Sequence, residues 1–301
     1  MTEPVVVGID AGGTKTRAFV VTRAGEVVGR GAGGGANLLT SPDPQGSIAA
    51  ALQTALAGRR PTAVVLSCAG GDRPSARERG HEILTRLLGG AVQVQVTHDA
   101  QAALYAGNPQ GCGVVLIAGT GSIAYGRNAE GEEERAGGWG HLIGDEGSAV
   151  WVGLEGLRAA AHAVDGRGAP TAIAQHVIRD LGIAELMDVL PLVYGRPHPA
   201  PAIVAAARAV GMAASANDAI AVGILRRGGN ALARAATVVA VSLGLADGPV
   251  HLAGGAFEQL PALATHTRSE LLAMLPRAAV EAVREEPAMG AARLAARLAW
   301  G

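Results

Sequence analysis

Residues 5–22 of the 301-residue chain read VVVGIDAGGTKTRAFVVT, two β-branched runs on either side of a glycine-rich segment. The runs at 5–9 and 17–22 predict two antiparallel strands, and residues 10–16 predict the turn that joins them. Backbone amides in such a turn are unshielded by side chains and form a concave set that binds anions, to which threonine hydroxyls add donors. The turn is therefore predicted to bind phosphate through Gly12, Gly13, Thr14, Lys15 and Thr16.

Lys15 is the only lysine in the chain, and arginine is used at every other position where lysine or arginine occurs. Its amine would reach a phosphate bound at the turn. The alternative is chance, since an arginine-biased composition keeps few lysines anywhere. The residue itself does not decide between the two interpretations.

Residues 113–127, GVVLIAGTGSIAYGR, repeat the arrangement. Strands are predicted at 113–118 and 123–127, around a second phosphate-binding turn made of Gly119, Thr120, Gly121 and Ser122. One glycine turn is weak evidence, because hairpins use glycine for steric reasons. Two turns at matching places, roughly one domain length apart, favour two related domains that face each other across a cleft.

The first half reads as three strands followed by alternating helices and strands, including an apolar strand at 63–68 that predicts burial on both faces. The second half opens the same way and continues as mostly helix from 146 to about 245. Breaks in this helical stretch are predicted at 166–170, 195–201 and 228–229.

A run rich in Gly, Asn and Pro at 107–111 marks the domain boundary. The N-terminal domain is expected to span 1–110 and the C-terminal, nucleotide-binding domain 111–287. The last helix, 288–301, is expected to pack back on the first domain.

Charge and composition exclude several classes of function. The net charge of −1 gives no electrostatic case for binding nucleic acid or an anionic membrane. Apolar runs are too short to span a bilayer, and the start lacks a signal-peptide pattern. Cys68 and Cys112 have no metal or redox spacing. A cytoplasmic location is the expectation.

A third glycine element follows a predicted strand at 250–253, where Gly254 and Gly255 lead through Ala256 into a helix. Glycine at that point lets a flat ring or a ribose approach the backbone closely. The order of the three elements resembles the fold of actin, the sugar kinases and the heat-shock-protein ATPases. Within it, the block GWGHLIGDEGS at 138–148 is similar to the N-acetylglucosamine kinase and BadF/BadG/BcrA/BcrD ATPase family. The resemblance covers essentially the whole chain.

The resemblance implies an α/β protein with two ribonuclease-H-like (actin-like ATPase) domains facing across a cleft. ATP would lie mainly on the second domain and a sugar toward the first. Asp10 would hold Mg²⁺, through water because magnesium dehydrates reluctantly. The alternative for Asp10 is an aspartate that only stabilises the turn. The family also suggests a homodimer.

Transfer of a phosphoryl group to a sugar hydroxyl needs a group that takes the proton. Asp99 follows a predicted strand at 92–97 and would lie at the carboxyl end of the sheet, where ligands of such sheets bind. The alternative is that Asp99 only caps the next helix, and one residue can do both. The resemblance places a catalytic aspartate here, so Asp99 is predicted to be the base, with His98 hydrogen-bonding nearby.

The resemblance further implies a sugar pocket formed by Asn37, Gly138, Trp139, Gly140 and Asp145, besides Asp99. Trp139 is either a platform for the sugar or packs beneath the loop, and packing is favoured. Glu146 either orients Asp145 or begins the next helix. Kinases resembling this chain often have Asn after the second turn. The residue here is Ile123, which leaves the identity of the sugar open.

Two motifs are misleading. Gly31–Ala36 matches a dinucleotide-binding fingerprint but lacks the helix that should follow, and no Walker A spacing surrounds Lys15. The expected function is a Mg²⁺- and ATP-dependent kinase acting on the 6-hydroxyl of an amino sugar, N-acetylglucosamine or glucosamine. The alternative is an ATPase that activates a partner dehydratase or reductase through an iron–sulfur cluster. Neither cysteine lies in a segment resembling that cluster loop. A sugar-sensing regulator would need a DNA-binding helix-turn-helix, and none precedes the first strand.

Overall fold

A computed structural model describes residues 3–68, 70–71, 73–195 and 201–301. The chain divides into two compact units. The first comprises Met1–Cys112 together with Val283–Gly301, and the second comprises Gly113–Ala282. Residues from Val283 onward thus belong to the first unit, whereas the sequence-based division placed this boundary at 287.

The first unit contains a five-stranded sheet in the order β3-β2-β1-β4-β5. Its strands are β1 (Val5–Ala11), β2 (Thr16–Thr22), β3 (Val27–Gly33), β4 (Pro61–Cys68) and β5 (Gln93–His98). The two hairpin pairs are antiparallel, while β4 and β5 run parallel to β1. The intervening helices are α1 (Pro44–Leu56), α2 (Pro74–Leu88) and α3 (Asp99–Gly107). The carboxyl ends of β1, β4 and β5 therefore share one edge of the sheet.

The second unit repeats this plan with a five-stranded sheet in the order β10-β9-β6-β7-β8. Its strands are β6 (Gly113–Ala118), β7 (Ser122–Arg127), β8 (Glu133–Gly137), β9 (Pro249–Ala253) and β10 (Ala279–Ala282). Its helices are α4 (Ala149–Val164), α5 (Ile173–Leu181), α6 (Val189–Tyr194), α7 (Pro201–Ser215), α8 (Ala219–Ser242), α9 (Gly255–Gln259) and α10 (Pro261–Met274). A 3-10 turn at Leu186–Asp188 precedes α6.

The last helix, α11 (Pro287–Trp300), packs on the sheet of the first unit. A side-chain carbon on Gly8 of β1 would collide with the α11 backbone at Ala292 and Ala288. One on Gly290 would collide with the backbone of α3 at Ala102. Both glycines therefore permit a close approach that larger residues would prevent.

Both faces of the first sheet are buried, as predicted for β4. Val64 and Leu66 join a core with residues of α1 and α2. Ala63 and Val65 point the other way, into a core with residues of α3 and α11. Burial on both faces explains why the strand is almost continuously hydrophobic.

One predicted helix break is wrong. Helix α8 runs without interruption through Gly228 and Gly229. A Cβ on Gly228 would lie 3.1 Å from the Cα of Gly147, and one on Gly229 would lie 2.9 Å from the Cβ of His266. The glycine pair thus makes room for neighbouring backbone instead of ending the helix. The predicted break at 195–201 falls largely on residues outside those described.

No helix within the described parts of the chain is long and apolar enough to cross a membrane.

Candidate functional site

The first glycine turn is closed and held from one side. The Gly12 amide donates to the Lys15 carbonyl at 2.9 Å, and the Ala36 amide donates to the Gly12 carbonyl at 2.9 Å. The Thr16 hydroxyl donates to the Gly34 carbonyl at 2.7 Å. Thr16 is fully buried, so its hydroxyl hydrogen fastens the turn to the segment that follows β3.

The outer side of this turn is open. Gly13, Thr14 and Lys15 are exposed, and a Cβ on Gly13 would meet nothing within 4 Å. Within the described residues, the amides of Gly13 and Thr14 make no backbone hydrogen bond. These two amides and the Thr14 hydroxyl are therefore the donors that an anion would meet.

Asp10 belongs to a polar row across the carboxyl edge of the first sheet. It lies in register with Arg17 on β2 and Ser67 on β4, and Ser67 in turn pairs with Thr97 on β5. Burial, the charge of Asp99 and that of Glu286 raise the pKa of Asp10 to about 7, against an opposing effect of Lys15. Asp10 and Asp99 are therefore close enough for their charges to interact.

Mg²⁺ fits this row. Two interacting carboxylates repel each other, and a divalent cation would relieve that repulsion. The Ser67 hydroxyl is fully buried and has no hydrogen-bond partner in the part of the chain that the structure covers. The same part holds no cluster of three His, Cys, Asp or Glu side chains suited to a metal. Mg²⁺ usually keeps several waters and is held by one or two carboxylates together with substrate phosphates.

Asp99 and His98 divide two roles at the start of α3. The Nδ1 atom of His98 accepts the Gln101 amide at 3.2 Å and caps the helix. Asp99 is the first helical residue, and its Oδ1 accepts the adjacent Ala100 amide at 2.9 Å. The cap expected from this region is thus made by His98, so a capping role for Asp99 is not needed to explain the helix start.

The side-chain oxygen of Asn37 is engaged by neighbouring backbone amides. Its Oδ1 accepts the amides of Leu39 at 2.9 Å and Thr40 at 3.1 Å, which shapes the turn after β3. Arg79 of α2 holds the same turn through the Leu38 carbonyl. Among the residues that the structure describes, the Nδ2 group of Asn37 has no hydrogen-bond acceptor, so Asn37 would offer a ligand a donor more readily than an acceptor.

The second glycine turn, residues 119–122, is built like the first. The Gly119 amide donates to the Gly121 carbonyl at 2.9 Å, which closes the turn. The buried Ser122 hydroxyl donates to the Glu146 carbonyl at 2.9 Å. Thr120 is exposed, and a Cβ on Gly119 would meet nothing within 4 Å. The open face of this turn also consists of backbone and one threonine.

The third glycine element lies against the second turn. A Cβ on Gly254 would collide with the Ala118 carbonyl, the residue just before Gly119, and Gly254 has a φ of +103°. Gly255 and Ala256 then begin the short helix α9. The structure thus brings together, within the second unit, two of the segments predicted to bind the nucleotide.

The loop at residues 138–144, called the 138–144 loop below, is exposed. Trp139 is 66% exposed, Leu142 88% and Ile143 78%. The favoured interpretation of Trp139 as packing beneath the loop is therefore wrong. Ile123 lies under this loop, since a Cβ on Gly138 would sit 2.9 Å from its Cδ1 atom.

Asp145 is buried between the 138–144 loop and the second turn. Its Oδ1 accepts the Gly140 amide at 3.1 Å, and the Ser122 amide also hydrogen-bonds to its carboxylate. Burial raises the pKa of Asp145, and these hydrogen bonds lower it only in part. Part of the accepting capacity predicted for a sugar is thus used by the backbone.

Sequence reasoning missed Ser67, because the strand at 63–68 was read as uniformly apolar. A hydroxyl at the carboxyl end of a buried parallel strand is a signal that could have been noticed, since ligands bind at that edge. The link between Asp145 and the second turn had no sequence signal.

The two units, each with a glycine turn after its first strand, define the fold of the actin-like ATPases and sugar kinases. A crystal structure of a candidate N-acetylglucosamine kinase from Chromobacterium violaceum has this fold, with a TM-score of 0.77, 24% identity, and 97% of this chain and 99% of that chain covered. The model of the BadF/BadG/BcrA/BcrD ATPase family matches residues 7–295. The chain belongs to this family.

Two curated proteins are similar over nearly the full length. An N-acetylmuramic acid/N-acetylglucosamine kinase of Clostridium acetobutylicum is 28% identical over 96% of this chain and 97% of its own. An N-acetyl-D-glucosamine kinase of Dictyostelium discoideum is 29% identical over 98% of each.

Proposed function

We propose that this protein is an ATP-dependent sugar kinase that transfers the γ-phosphoryl group to the 6-hydroxyl of an amino sugar, N-acetylglucosamine or glucosamine. The observation that carries the proposal is that the two adjacent residues at the start of α3 have different roles. His98 makes the cap, and the Asp99 carboxylate stands at the carboxyl edge of the sheet beside Asp10. The names of the two full-length relatives support the class of acceptor.

The nucleotide phosphates would bind to the open faces of the glycine turns. Gly12, Gly13, Thr14 and Lys15 would contribute from the first turn, and Gly119, Thr120 and Gly121 from the second. Thr16 and Ser122 would act through the shape of the turns, because their hydroxyl hydrogens are engaged. Gly254, Gly255 and Ala256 would carry the base or ribose.

Asp99 would accept the proton of the sugar hydroxyl. The hydroxyl oxygen would at the same time bond to the γ-phosphorus, and the bond between that phosphorus and the leaving oxygen of ADP would break. Asn37 Nδ2 would donate to the sugar, and Gly138, Trp139 and Gly140 would also contact it. Asp10, with Ser67 beside it, would hold Mg²⁺ through water. The ion would supply positive charge to the phosphates. Catalysis would come mostly from alignment and charge stabilisation.

The test is a coupled ADP-release assay with a panel of N-acetylglucosamine, glucosamine, N-acetylmuramic acid, N-acetylmannosamine and glucose. The position of the phosphate on the product is then read from the phosphorus–proton couplings in NMR. We expect the highest kcat/KM with N-acetylglucosamine or glucosamine, and coupling of phosphorus to the two protons on carbon 6. ADP release that no sugar accelerates would refute the kinase.

The alternative, an activator with an iron–sulfur cluster, is checked on the same preparation. Cys68 is fully buried and its sulfur contacts the Thr97 carbonyl at 3.7 Å. We expect a colourless protein with no iron in metal analysis. A brown, oxygen-sensitive protein would favour the activator. A homodimer and a cytoplasmic location remain part of the proposal, and sedimentation tests the first.

A further inference from the structure

We infer that Asp145 is a positioning residue that holds the second glycine turn in its phosphate-binding shape and couples that turn to the 138–144 loop. The inference rests on the proposed function for the identity of the ligands. It goes beyond the predicted role of Asp145 as a sugar contact. All the residues that carry it lie in the second unit.

The backbone at Asp145 is strained. Its φ is +58°, in the left-handed region that residues with a Cβ rarely adopt. Such a conformation persists only when the surroundings enforce it, and it concentrates at functional positions. The side chain supplies that enforcement here, because its carboxylate is bound by the two segments on either side.

Each carboxylate oxygen faces a different segment. Oδ1 accepts the Gly140 amide of the 138–144 loop at 3.1 Å. Oδ2 lies where a side chain on Gly121 would begin, only 2.6 Å from the position of that Cβ. The next amide, that of Ser122, hydrogen-bonds to the carboxylate. Glycine at 121 is thus required by Asp145, and not only by the turn.

The backbone at Asp145 is held in place by its neighbours. Its carbonyl accepts the Ser148 amide at 3.0 Å, at the start of α4. Gly147 lies against α8, where a Cβ would come 2.6 Å from Leu232 and 2.7 Å from the Gly228 carbonyl. With its backbone fixed, Asp145 has two neighbours left to position: the exposed 138–144 loop and the second turn. A ligand that orders the loop through Asp145 would therefore also order the turn.

Burial of the Asp145 carboxylate costs folding free energy when no ligand is bound. A buried carboxylate is disfavoured unless its charge is compensated, and burial is the largest influence on the pKa of Asp145, which it raises. The nearby His141 opposes this only in part. Strain and burial at the same residue are therefore expected where a side chain holds its neighbours in place.

The principal test is the Asp145→Asn variant. Asparagine tolerates a positive φ, and its Oδ1 still accepts the Gly140 amide. Its amino group, however, replaces the acceptor that faces Gly121 and Ser122. We expect the Kd of ADP with Mg²⁺, measured by titration calorimetry without sugar, to rise about tenfold or more, as the loss of one hydrogen bond to a charged group implies. We also expect N-acetylglucosamine to lower the ADP Kd in the wild type and to have little effect in the variant.

Glu146→Gln is the matched control. It removes one negative charge at the next position, where the side chain is exposed and only the backbone carbonyl holds Ser122. We expect its ADP Kd and its response to sugar to equal those of the wild type. Equal weakening by both variants would mean that general charge near the turn is responsible, and would overturn the inference.

Gly121→Ala disturbs the same contact from the side of the turn. Its ADP Kd alone is the test if Asp145→Asn does not fold. Its new methyl group would displace the carboxylate. In a double-mutant cycle on ADP binding, the double variant should lose little more than either single variant. Additive losses, or an unchanged ADP Kd in either single variant, would overturn the inference even if a sugar is phosphorylated. If no sugar is phosphorylated but ADP binding still depends on Asp145, the proposed function fails and the positioning of the turn stands.

Discussion

The start of α3 allows the roles of two adjacent residues to be separated by mutation. His98 caps the helix through Nδ1, which accepts the Gln101 amide, whereas the Oδ1 atom of Asp99 accepts the amide of the neighbouring Ala100. Asp99→Asn keeps the size of the side chain and an acceptor oxygen for that amide. His98→Ala removes the cap and leaves the carboxylate. We expect the first variant to lose activity and the second to lose stability.

The two effects differ in size. A general base contributes about 10²- to 10⁴-fold to the rate, so Asp99→Asn should lower kcat by that factor, which is about 3–5 kcal/mol of barrier. Loss of a side-chain cap costs about 1 kcal/mol of folding free energy. In a chain of 301 residues, that corresponds to about 2 °C in Tm.

Three measurements distinguish these outcomes: kcat by coupled ADP release at saturating N-acetylglucosamine, the Kd of ADP by calorimetry, and Tm by scanning calorimetry. Asp99→Asn should leave ADP binding within about threefold of the wild type, since the base acts on the acceptor. Turnover by Asp99→Asn at the wild-type rate would remove Asp99 from the mechanism. A larger fall in Tm for Asp99→Asn than for His98→Ala would show that the cap is assigned to the wrong residue.

Three further predictions concern the fold and the metal. Gly8→Ala forces a methyl group into the backbone of α11 and should lower the free energy of unfolding, measured in urea, by about 1–3 kcal/mol or more. At Gly13 a methyl group would meet nothing within 4 Å, so Gly13→Ala should lower it by under about 1 kcal/mol. Equal losses of stability in the two variants would contradict the packing of α11. Asp10→Ala should raise the Mg²⁺ concentration needed for half-maximal ADP binding, and unchanged metal dependence would refute its assignment. Burial lowers the pKa of His251 below 6.5, against an opposing effect of Glu281. The contribution of His251 to the unfolding free energy should therefore be constant above about pH 6.5 and fall by at most about 1.4 kcal/mol per pH unit below it. The raised pKa of Asp10 acts in the opposite direction over the same range, so the contribution is measured as the difference between the wild type and His251→Leu.

The sequence predicted the arrangement of elements well, because hydrophobic periodicity and glycine punctuation are local signals. The strand at 113–118 has the predicted bounds, and most other predicted strands differ from the observed ones by one or two residues. The failure at Gly228 and Gly229 has a clear cause. A glycine pair marks either a helix end or a close approach of another backbone, and only the position of Gly147 and α10 shows that the second applies.

Candidate site residues could be proposed from the sequence where one segment carries the chemistry, but not where two segments meet. The turns and Asp99 follow from strand ends and residue type. The registers that place Ser67 between Asp10 and Thr97 depend on β4 pairing with both β1 and β5. The contacts of the Asp145 carboxylate depend likewise on the positions of the Gly140 and Ser122 amides. Neither arrangement leaves a pattern in the sequence, since the partners lie far apart along the chain or in irregular segments.

The internal duplication extends beyond the glycine turns to what holds them. In the first unit, the Thr16 hydroxyl at the end of the turn donates to the Gly34 carbonyl, just after the third strand. In the second unit, the Ser122 hydroxyl at the same place donates to the Glu146 carbonyl, again after the third strand. A hydroxyl at the last position of each turn thus serves as an anchor, which explains why both turns end in Thr or Ser.

These anchors connect the turns to the segments that carry the predicted sugar contacts. Asn37 lies three residues after Gly34, and Asp145 lies next to Glu146. In each unit, therefore, the hydroxyl at the end of the glycine turn joins that turn to a segment expected to meet the sugar. A shift in either segment would displace the amides that are proposed to bind the phosphate. Thr16→Val and Ser122→Ala, which keep the buried volume nearly unchanged but remove the donor, should accordingly raise the KM of ATP and that of the sugar together.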